Sequence, residues 1–423
     1  MKFEFSKKFA LNQDQADPLN NFREKFHFPQ QDGKNKIYFT GNSLGLQPKS
    51  ASQAIQQELD DWAKLGVDGH FEAKNPWFSY HERFKKELSI LTGAKEVEVT
   101  AMGGLSANLH FLMVSFYRPS GKRKKILCED KAFPSDQYAL ESQVKFHGLS
   151  AEKDIVELAA REGEYHLREE DILDKIAELG DELAMIMIGG VNYYSGQLMP
   201  MKSITEAGHK VGAIVGFDLA HAAGNVELQL HDWEVDFAAW CSYKYLNSGP
   251  GSVAGIFVHE KHAKDKSLPR FAAWWGTPPK DRFKMEKGFI PAEGADGWQL
   301  SNAPVLSMAV HKVALELHIK AGMDRLLAKQ KKLTAFLAFI LDQISKENTN
   351  INFEVITPKE RGAQLSILMH GKGKELFDQI SQKGLVADWR EPNVIRIAPA
   401  PIYNSFEDVY LFGKIIHESL KEI

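Results

Sequence analysis

The feature that most restricts this chain is the regular alternation, through its middle, of short apolar β-rich runs with longer helical stretches. Runs at Lys125–Glu129, Leu183–Val191, Gly212–Phe217, Asp236–Cys241 and Val253–His259 alternate with helical patterns at Ser106–Tyr117, Ser135–His147, Glu169–Leu179 and Ile204–Lys210. Strand–helix–strand order calls for crossover helices and parallel neighbours, which is α/β architecture. In such sheets ligands sit beyond the carboxyl ends of the strands, so chemistry is sought in the residues that follow each run. After about Ser307 the pattern changes. Helices at Ser307–Lys320 and Met323–Ser345 precede short strands near Phe353–Ile356, Ala363–Leu368 and Val394–Ala398, which predicts a second, smaller α+β unit. The expected division is an N-terminal segment, 1–45, packing with the small domain, a large domain, 46–306, and the small C-terminal domain, 307–423.

A chain of 423 residues, 43% hydrophobic and 26% charged, has ample material for such a core without a metal or disulfide staple. The net charge of −4 offers nothing to nucleic acid or to an anionic membrane. Cys128 and Cys241 are too few for a disulfide framework or a cysteine-rich zinc site. The first residues, MKFEFSKKFALNQDQADPL, lack an apolar signal-peptide core, and the longest apolar run, around Leu333 to Leu341, is far short of the roughly 20 residues that span a bilayer. A reducing, cytoplasmic setting is expected.

Several familiar motifs fail. His259-Glu260-Lys261-His262 has its histidines three apart rather than in the H-E-x-x-H spacing, and no third ligand is nearby in sequence. No metal site is expected. No G-x-S-x-G, Walker A or G-x-G-x-x-G sequence follows a strand, which counts against hydrolase, P-loop and dinucleotide readings.

The informative stretch is Gly216 to Gly255. Asp218 follows the apolar run Ala213-Ile214-Val215, and His221 comes three residues later. A second run, Phe237 to Cys241, leads into Ser242-Tyr243-Lys244 and the loop Asn247-Ser248-Gly249-Pro250-Gly251. An acid and a lysine thus emerge from two strand ends 26 residues apart, a separation that fits one crossover. That pair suits pyridoxal phosphate. A carboxylate beside the pyridine nitrogen keeps it protonated, so the ring acts as an electron sink. A lysine whose reference pKa is about 10.4 becomes a nucleophile when desolvated or placed near positive charge. Taken singly, the two would be a capping aspartate and a surface lysine; their joint placement after two strands favours chemistry.

A cofactor phosphate needs a cradle, and Ala101-Met102-Gly103-Gly104-Leu105-Ser106 opens a helix with glycines, free N–H groups and a hydroxyl. The plain alternative is an ordinary helix start with a serine cap. Phe133-Pro134-Ser135-Asp136 opens another helix after the Lys125–Glu129 run, and Phe133 is a candidate to stack on a flat ring, its alternative being core.

Asp-x-x-His followed by a strand-terminal lysine and a glycine-rich turn resembles the fold-type-I pyridoxal phosphate enzymes, in the class V aminotransferase-like branch that includes cysteine desulfurases. Within it, GFDLAHAAGNVELQLHDWEVDFAAWCSYKYLNSGPG resembles the kynureninase family. So do Thr40–Pro48 (TGNSLGLQP), Phe133–Ala139 (FPSDQYA), Arg282–Met285 (RFKM) and Asn393–Phe406 (NVIRIAPAPIYNSF), so the resemblance spans the chain. It implies a large, mainly parallel sheet with helices on both faces, and a homodimer with shared active sites. It also implies hydrolysis of L-kynurenine or 3-hydroxy-L-kynurenine to anthranilate or 3-hydroxyanthranilate plus L-alanine, in tryptophan catabolism and NAD biosynthesis.

The resemblance also distributes roles. Lys244 would carry the cofactor as a Schiff base and shuttle the proton, Asp218 would pair with the pyridinium, and His221 would lie beside it. Leu105, Ser106, Tyr243, Trp274 and Asn302 would hold the phosphate, the last two from across the dimer interface. Phe133 would stack on the ring with Asp136 close by. Gly189 falls where the family often has a serine. Arg396 would clamp the substrate's α-carboxylate, for which a guanidinium fork is suited; Arg390 is its neighbour, and the Pro-rich continuation favours Arg396. Tyr243 is also the candidate for proton transfer to the intermediate. His70, Ser301 and Asn302 resemble the members that prefer the 3-hydroxylated substrate, with a solvated loop histidine as the other reading of His70. The rivals are transamination, cysteine desulfuration and a non-catalytic binding protein on the same fold. A desulfurase needs a cysteine on a late mobile loop, and the small domain has none.

Overall fold

A computed structural model of the chain describes residues 2–265, 267–347 and 352–423. Seven strands form the principal sheet in the spatial order Val99–Ala101, Gly255–Val258, Phe237–Trp240, Ile214–Asp218, Leu183–Gly189, Lys125–Glu129, Ile155–Leu158. From Phe237–Trp240 to Ile155–Leu158 all neighbours are parallel. Gly255–Val258 runs antiparallel to both its neighbours, so the sheet is mixed at that edge.

Alternate side chains of each strand enter two different cores. Leu127, Ile186, Ile188, Val215, Phe217, Ala238 and Trp240 meet Ile172 and Ile176 of helix Glu169–Leu179 and Ile204 of helix Met201–Lys210. Ile126, Cys128, Met185, Met187, Phe237 and Ala239 meet Leu109 and Leu112 of helix Leu105–Phe116 and Leu140 and Val144 of helix Pro134–Phe146. Strands buried on both faces read as continuous apolar runs, which is why the sequence shows them so clearly. Each such Leu or Ile contributes about 1.5–3 kcal/mol. Gly216 is fixed by this packing, because a Cβ there would lie 2.2 Å from the Phe237 ring.

The observed elements differ from the expected ones mostly at their ends. Leu183–Gly189 stops two residues before the expected Val191, because the Gly190 N–H turns to the Asp218 carbonyl (2.7 Å) and Val191 bridges Leu198 instead. The expected Gly212–Phe217 strand begins at Ile214, since Gly212, at φ +78°, still belongs to the turn, and it runs on to include Asp218. The short outer strands Val99–Ala101 and Ile155–Leu158 escape the sequence reading, being too brief to show a pattern.

A second sheet, entirely antiparallel, has the order Phe353–Val355, Leu365–Met369, Val394–Ile397, Asp388–Arg390. Its core takes Leu333, Phe336, Leu337 and Ile340 from helix Met323–Glu347 and Phe412 and Ile416 from helix Phe406–Glu422. The N-terminal helix Lys7–Gln15 packs here through Ala10, and its Asp14 carboxylate accepts the Phe406 and Glu407 N–H groups at 2.7 and 2.9 Å. Helix Val305–Ala321 begins at the expected 306/307 boundary but sends Met308 and Leu315 into the large core. Among the described residues no helix is long and apolar enough to cross a membrane.

Candidate active site

The parallel strands all deliver their carboxyl ends to one side of the sheet, and a cavity of about 500 Å³ lies there, roofed by the small sheet. Asp218, the last residue of its strand, and Lys244, four residues beyond the Phe237–Trp240 strand, both face it. Leu105, Ser106, Phe133, Asp136, His221, Tyr243 and Arg396 line the same cavity. Nine residues singled out in the sequence are thus brought together from five elements and their connecting loops.

Electrostatics divide the cavity. Asp218 and Asp136 share a hydrogen bond, and burial raises both above the ordinary carboxyl range, Asp136 well above it because the Asp218 and Glu129 charges add to the burial. Such a pair holds a proton between them. Lys244 and the Ala220 N–H, which donates to Asp218 at 2.6 Å, oppose the rise at Asp218. His221 is held well below its usual value by burial and then by the Lys244, Arg396 and Arg390 charges, so it is a neutral imidazole. Its Nε2 lies 3.0 Å from Lys244 Nζ, while Nδ1 is buried without a partner. Burial, and next the Cys241 thiol, raise the Tyr243 phenol above its ordinary value. Lys244 Nζ lies 5.9 Å from the ring centres of both Tyr243 and Phe133.

At the opposite wall, helix Leu105–Phe116 begins with Gly104 extended and no side chain capping it, so its first N–H groups point at the cavity beside Ser106. This is an anion site in the making. Phe133 is exposed toward the cavity and meets Tyr193 edge-on at 5.2 Å. An uncapped helix start, a flat ring, a lysine and a protonated carboxyl pair fit the phosphate, the ring, the aldehyde and the ring nitrogen of pyridoxal phosphate in turn.

Four expected residues lie elsewhere in the single chain. Trp274 is 43% exposed, against Trp275 and Phe283, and lines a separate surface cleft. Ser301 and Asn302 are exposed. His70 lies half-buried in the one-turn helix Gly69–Glu72 rather than in a solvated loop; its Nδ1–H donates to the Val67 carbonyl (2.9 Å), and its ring meets Trp77 edge-on at 5.5 Å. Gly189 has no side chain to offer; its N–H points to the Glu129 carboxyl at 3.2 Å, and a Cβ there would come within 3.1 Å of it.

The sequence reading missed Glu129, Tyr193 and Asn42, all on the cavity wall. Glu129 is the last residue of a strand whose limits were read correctly, so the strand-end rule could have found it. Burial pushes its carboxyl up to about 7, with the Asp218 charge adding to the effect. Elsewhere, the two histidines of His259-Glu260-Lys261-His262 go to different carboxylates, and Glu98, His231 and His259 come together. There His231 hydrogen-bonds Glu98, whose oxygens also accept the Lys95 and Glu260 N–H groups, and His259 accepts from Lys261 N–H, a closed network at a helix start.

Among solved structures, the chain is similar to the cystine C–S lyase C-DES bearing glycine linked to its pyridoxal phosphate, at a TM-score of 0.76, 16% identity and 90% and 96% coverage of the two chains. It is likewise similar to a cysteine desulfurase from Escherichia coli, at a TM-score of 0.76, 15% identity and coverage of 96% and 99%. Both show the fold alone. The profile of the kynureninase C-terminal domain matches residues 326–416. A kynureninase from Flavobacterium psychrophilum is 57% identical over the whole of both chains, and one from Nematostella vectensis is 46% identical over 99% of this chain and 95% of its own. Identity at this level over essentially the whole length of the chain shows that it belongs to the kynureninase family.

Proposed function

We propose that the strand-end cavity binds pyridoxal 5′-phosphate and hydrolyses the Cβ–Cγ bond of L-kynurenine, of 3-hydroxy-L-kynurenine, or of both, releasing anthranilate or 3-hydroxyanthranilate and L-alanine. The observation that carries this is the convergence of Lys244, the buried Asp136–Asp218 pair and an uncapped helix start on one cavity. The backbone at Leu105 and the Ser106 and Tyr243 hydroxyls hold the phosphate, Phe133 and His221 flank the ring, and the carboxyl pair faces its nitrogen. When bound, the cofactor's ring accepts the electron pair released at the substrate's Cα.

The chain's own groups do the rest. Arg396 fixes the α-carboxylate, which presents the Cα proton to Lys244 Nζ. Burial of His221 as a neutral imidazole beside Nζ leaves the amine without a competing cation. Water adds at the γ-carbonyl. A phenol whose pKa is raised stays protonated at neutral pH, so the Tyr243 hydroxyl is the acid that delivers a proton at Cβ as the bond opens.

Trp274 and Asn302 complete the phosphate site from a second protomer of a homodimer, and His70, Ser301 and Asn302 set the choice between the two substrates. That explains why these four stand off the cavity within one chain. The same reading divides the chain into 1–45, 46–306 and 307–423, with helix Val305–Ala321 seating the small domain on the large one, and places the protein in the cytoplasm, where Cys128 and Cys241 stay thiols. Both cysteines are buried beside the sheet, which disfavours desulfuration. In Lys244→Ala, turnover and the cofactor's long-wavelength absorbance are both expected to vanish; retained turnover overturns the assignment.

A further inference from the structure

We propose that Arg390 is a second arginine of the substrate-carboxylate clamp and that Asp388, behind both guanidinium groups, is their shared counter-ion. The inference rests on the reading of Arg396 given above. Strands Asp388–Arg390 and Val394–Ile397 are antiparallel neighbours, with Asp388 directly opposite Arg396 and Arg390 opposite Val394. Residues facing one another across strands, and residues two apart along a strand, project on the same side of a sheet. Asp388, Arg390 and Arg396 are therefore presented together.

The geometry is specific. Arg396 Nη2 donates to Asp388 Oδ2 at 2.5 Å, and Arg390 Nη2 reaches the same oxygen at 3.3 Å, with its Nε 3.3 Å from Oδ1. The Ser43 hydroxyl also donates to Oδ2, at 2.5 Å. Arg396 Nη1 donates to the Tyr193 carbonyl at 2.6 Å, which ties the small sheet to the loop after strand Leu183–Gly189. Both arginines line the cavity and Asp388 does not. Arg396 Nε is buried without a partner, whereas Asp388 is the one hydrogen-bonding partner of the Arg390 side chain among the described residues.

Charge decides what this arrangement can do. Arg396 with Asp388 alone is a neutral ion pair, and a substrate carboxylate would have to compete with Asp388 for it. Arg390 takes a share of Asp388, so the group keeps one net positive charge toward the cavity, which a single carboxylate neutralises. Two guanidinium forks then select the ionised acid over its ester or amide.

The test uses holoenzyme carrying Arg390→Gln, Arg390→Lys or Arg396→Gln. It reads KM and kcat for L-kynurenine and the inhibition constants of 4-oxo-4-phenylbutanoate and its methyl ester. Arg390→Gln is expected to raise KM and the acid's inhibition constant about tenfold or more, the size of a lost charge-assisted hydrogen bond, with the loss in KM rather than kcat. The ester's constant and the cofactor absorbance should not move. If Arg396→Gln raises the acid's constant and Arg390→Gln does not, the second arginine is refuted and Arg396 stands. If neither raises it, the carboxylate reading of Arg396 falls as well. Should Arg390→Gln lose its cofactor absorbance, Arg390→Lys decides: an acid constant raised while the ester's is not supports the clamp, and one equal to the unmodified enzyme's overturns it.

Discussion

Three carboxyl groups, Glu129, Asp136 and Asp218, are buried around one cavity, and no cation among their hydrogen-bonding partners accounts for all of them. Desolvation dominates each, and Glu129 is pushed to about 7. The sign of the consequence is fixed. An acid whose pKa is higher folded than unfolded binds more protons in the native state across that interval, so stability falls as pH rises from about 4.5 to about 7. In cofactor-free protein, Glu129→Gln is expected to remove that slope and to gain on the unmodified chain by up to about 3 kcal/mol at the upper end. Urea titrations at a series of pH values check it, and parallel curves for the two proteins would show that Glu129 is not the group responsible. Glu129 also shows where residue-level reading ran short. Asp218 and Lys244 stood out as an acid and a base at two strand ends one crossover apart, whereas Glu129 closes an equally clear strand and is set apart only by the burial that the fold imposes on it. Tyr193, which contributes a backbone carbonyl, has no local signature.

At the scale of elements, the uncapped start of helix Leu105–Phe116 carries the phosphate reading. Ser106→Ala should weaken pyridoxal phosphate about tenfold, one hydrogen bond to a charged group, and leave pyridoxal unaffected; equal losses for both would remove Ser106 from the phosphate site. A second helix start is capped from a distance. Asp14 accepts the first N–H groups of helix Phe406–Glu422, so Asp14→Ala should cost about 1–2 kcal/mol, read as a lower urea midpoint at unchanged slope. The helices and inner strands were legible because burial on both faces writes long apolar runs. The three-residue strand Val99–Ala101 and the strand Asp388–Arg390 were not, since pairing with partners distant in sequence, rather than their own pattern, makes them strands. Arg390 was set aside because the Pro-rich continuation after Arg396 favoured Arg396.

The molecule as a whole is built on two principal sheets, the large one with a core on each face and the small one with its own, and the cavity lies between the strand ends of the first and the arginine-bearing face of the second. In the proposed reading a substrate held at both walls bridges the two, so that a carboxylate on Arg396 is sensed at Lys244. Trp274, Ser301, Asn302 and His70 do not line this cavity within one chain, and the proposed shared-site dimer predicts a complementation. Mixed dimers of Lys244→Ala and Asn302→Ala protomers contain one site with both native residues and should recover activity above either parent; no recovery on subunit exchange would place Asn302 outside the partner's site. The most direct test of the central claim is product analysis with the pyridoxal-phosphate-supplemented protein, offered L-kynurenine and 3-hydroxy-L-kynurenine in parallel. Anthranilate or 3-hydroxyanthranilate formed in step with alanine is the predicted result. A keto acid in place of alanine, or a loaded cofactor with no cleavage of either substrate, would contradict it.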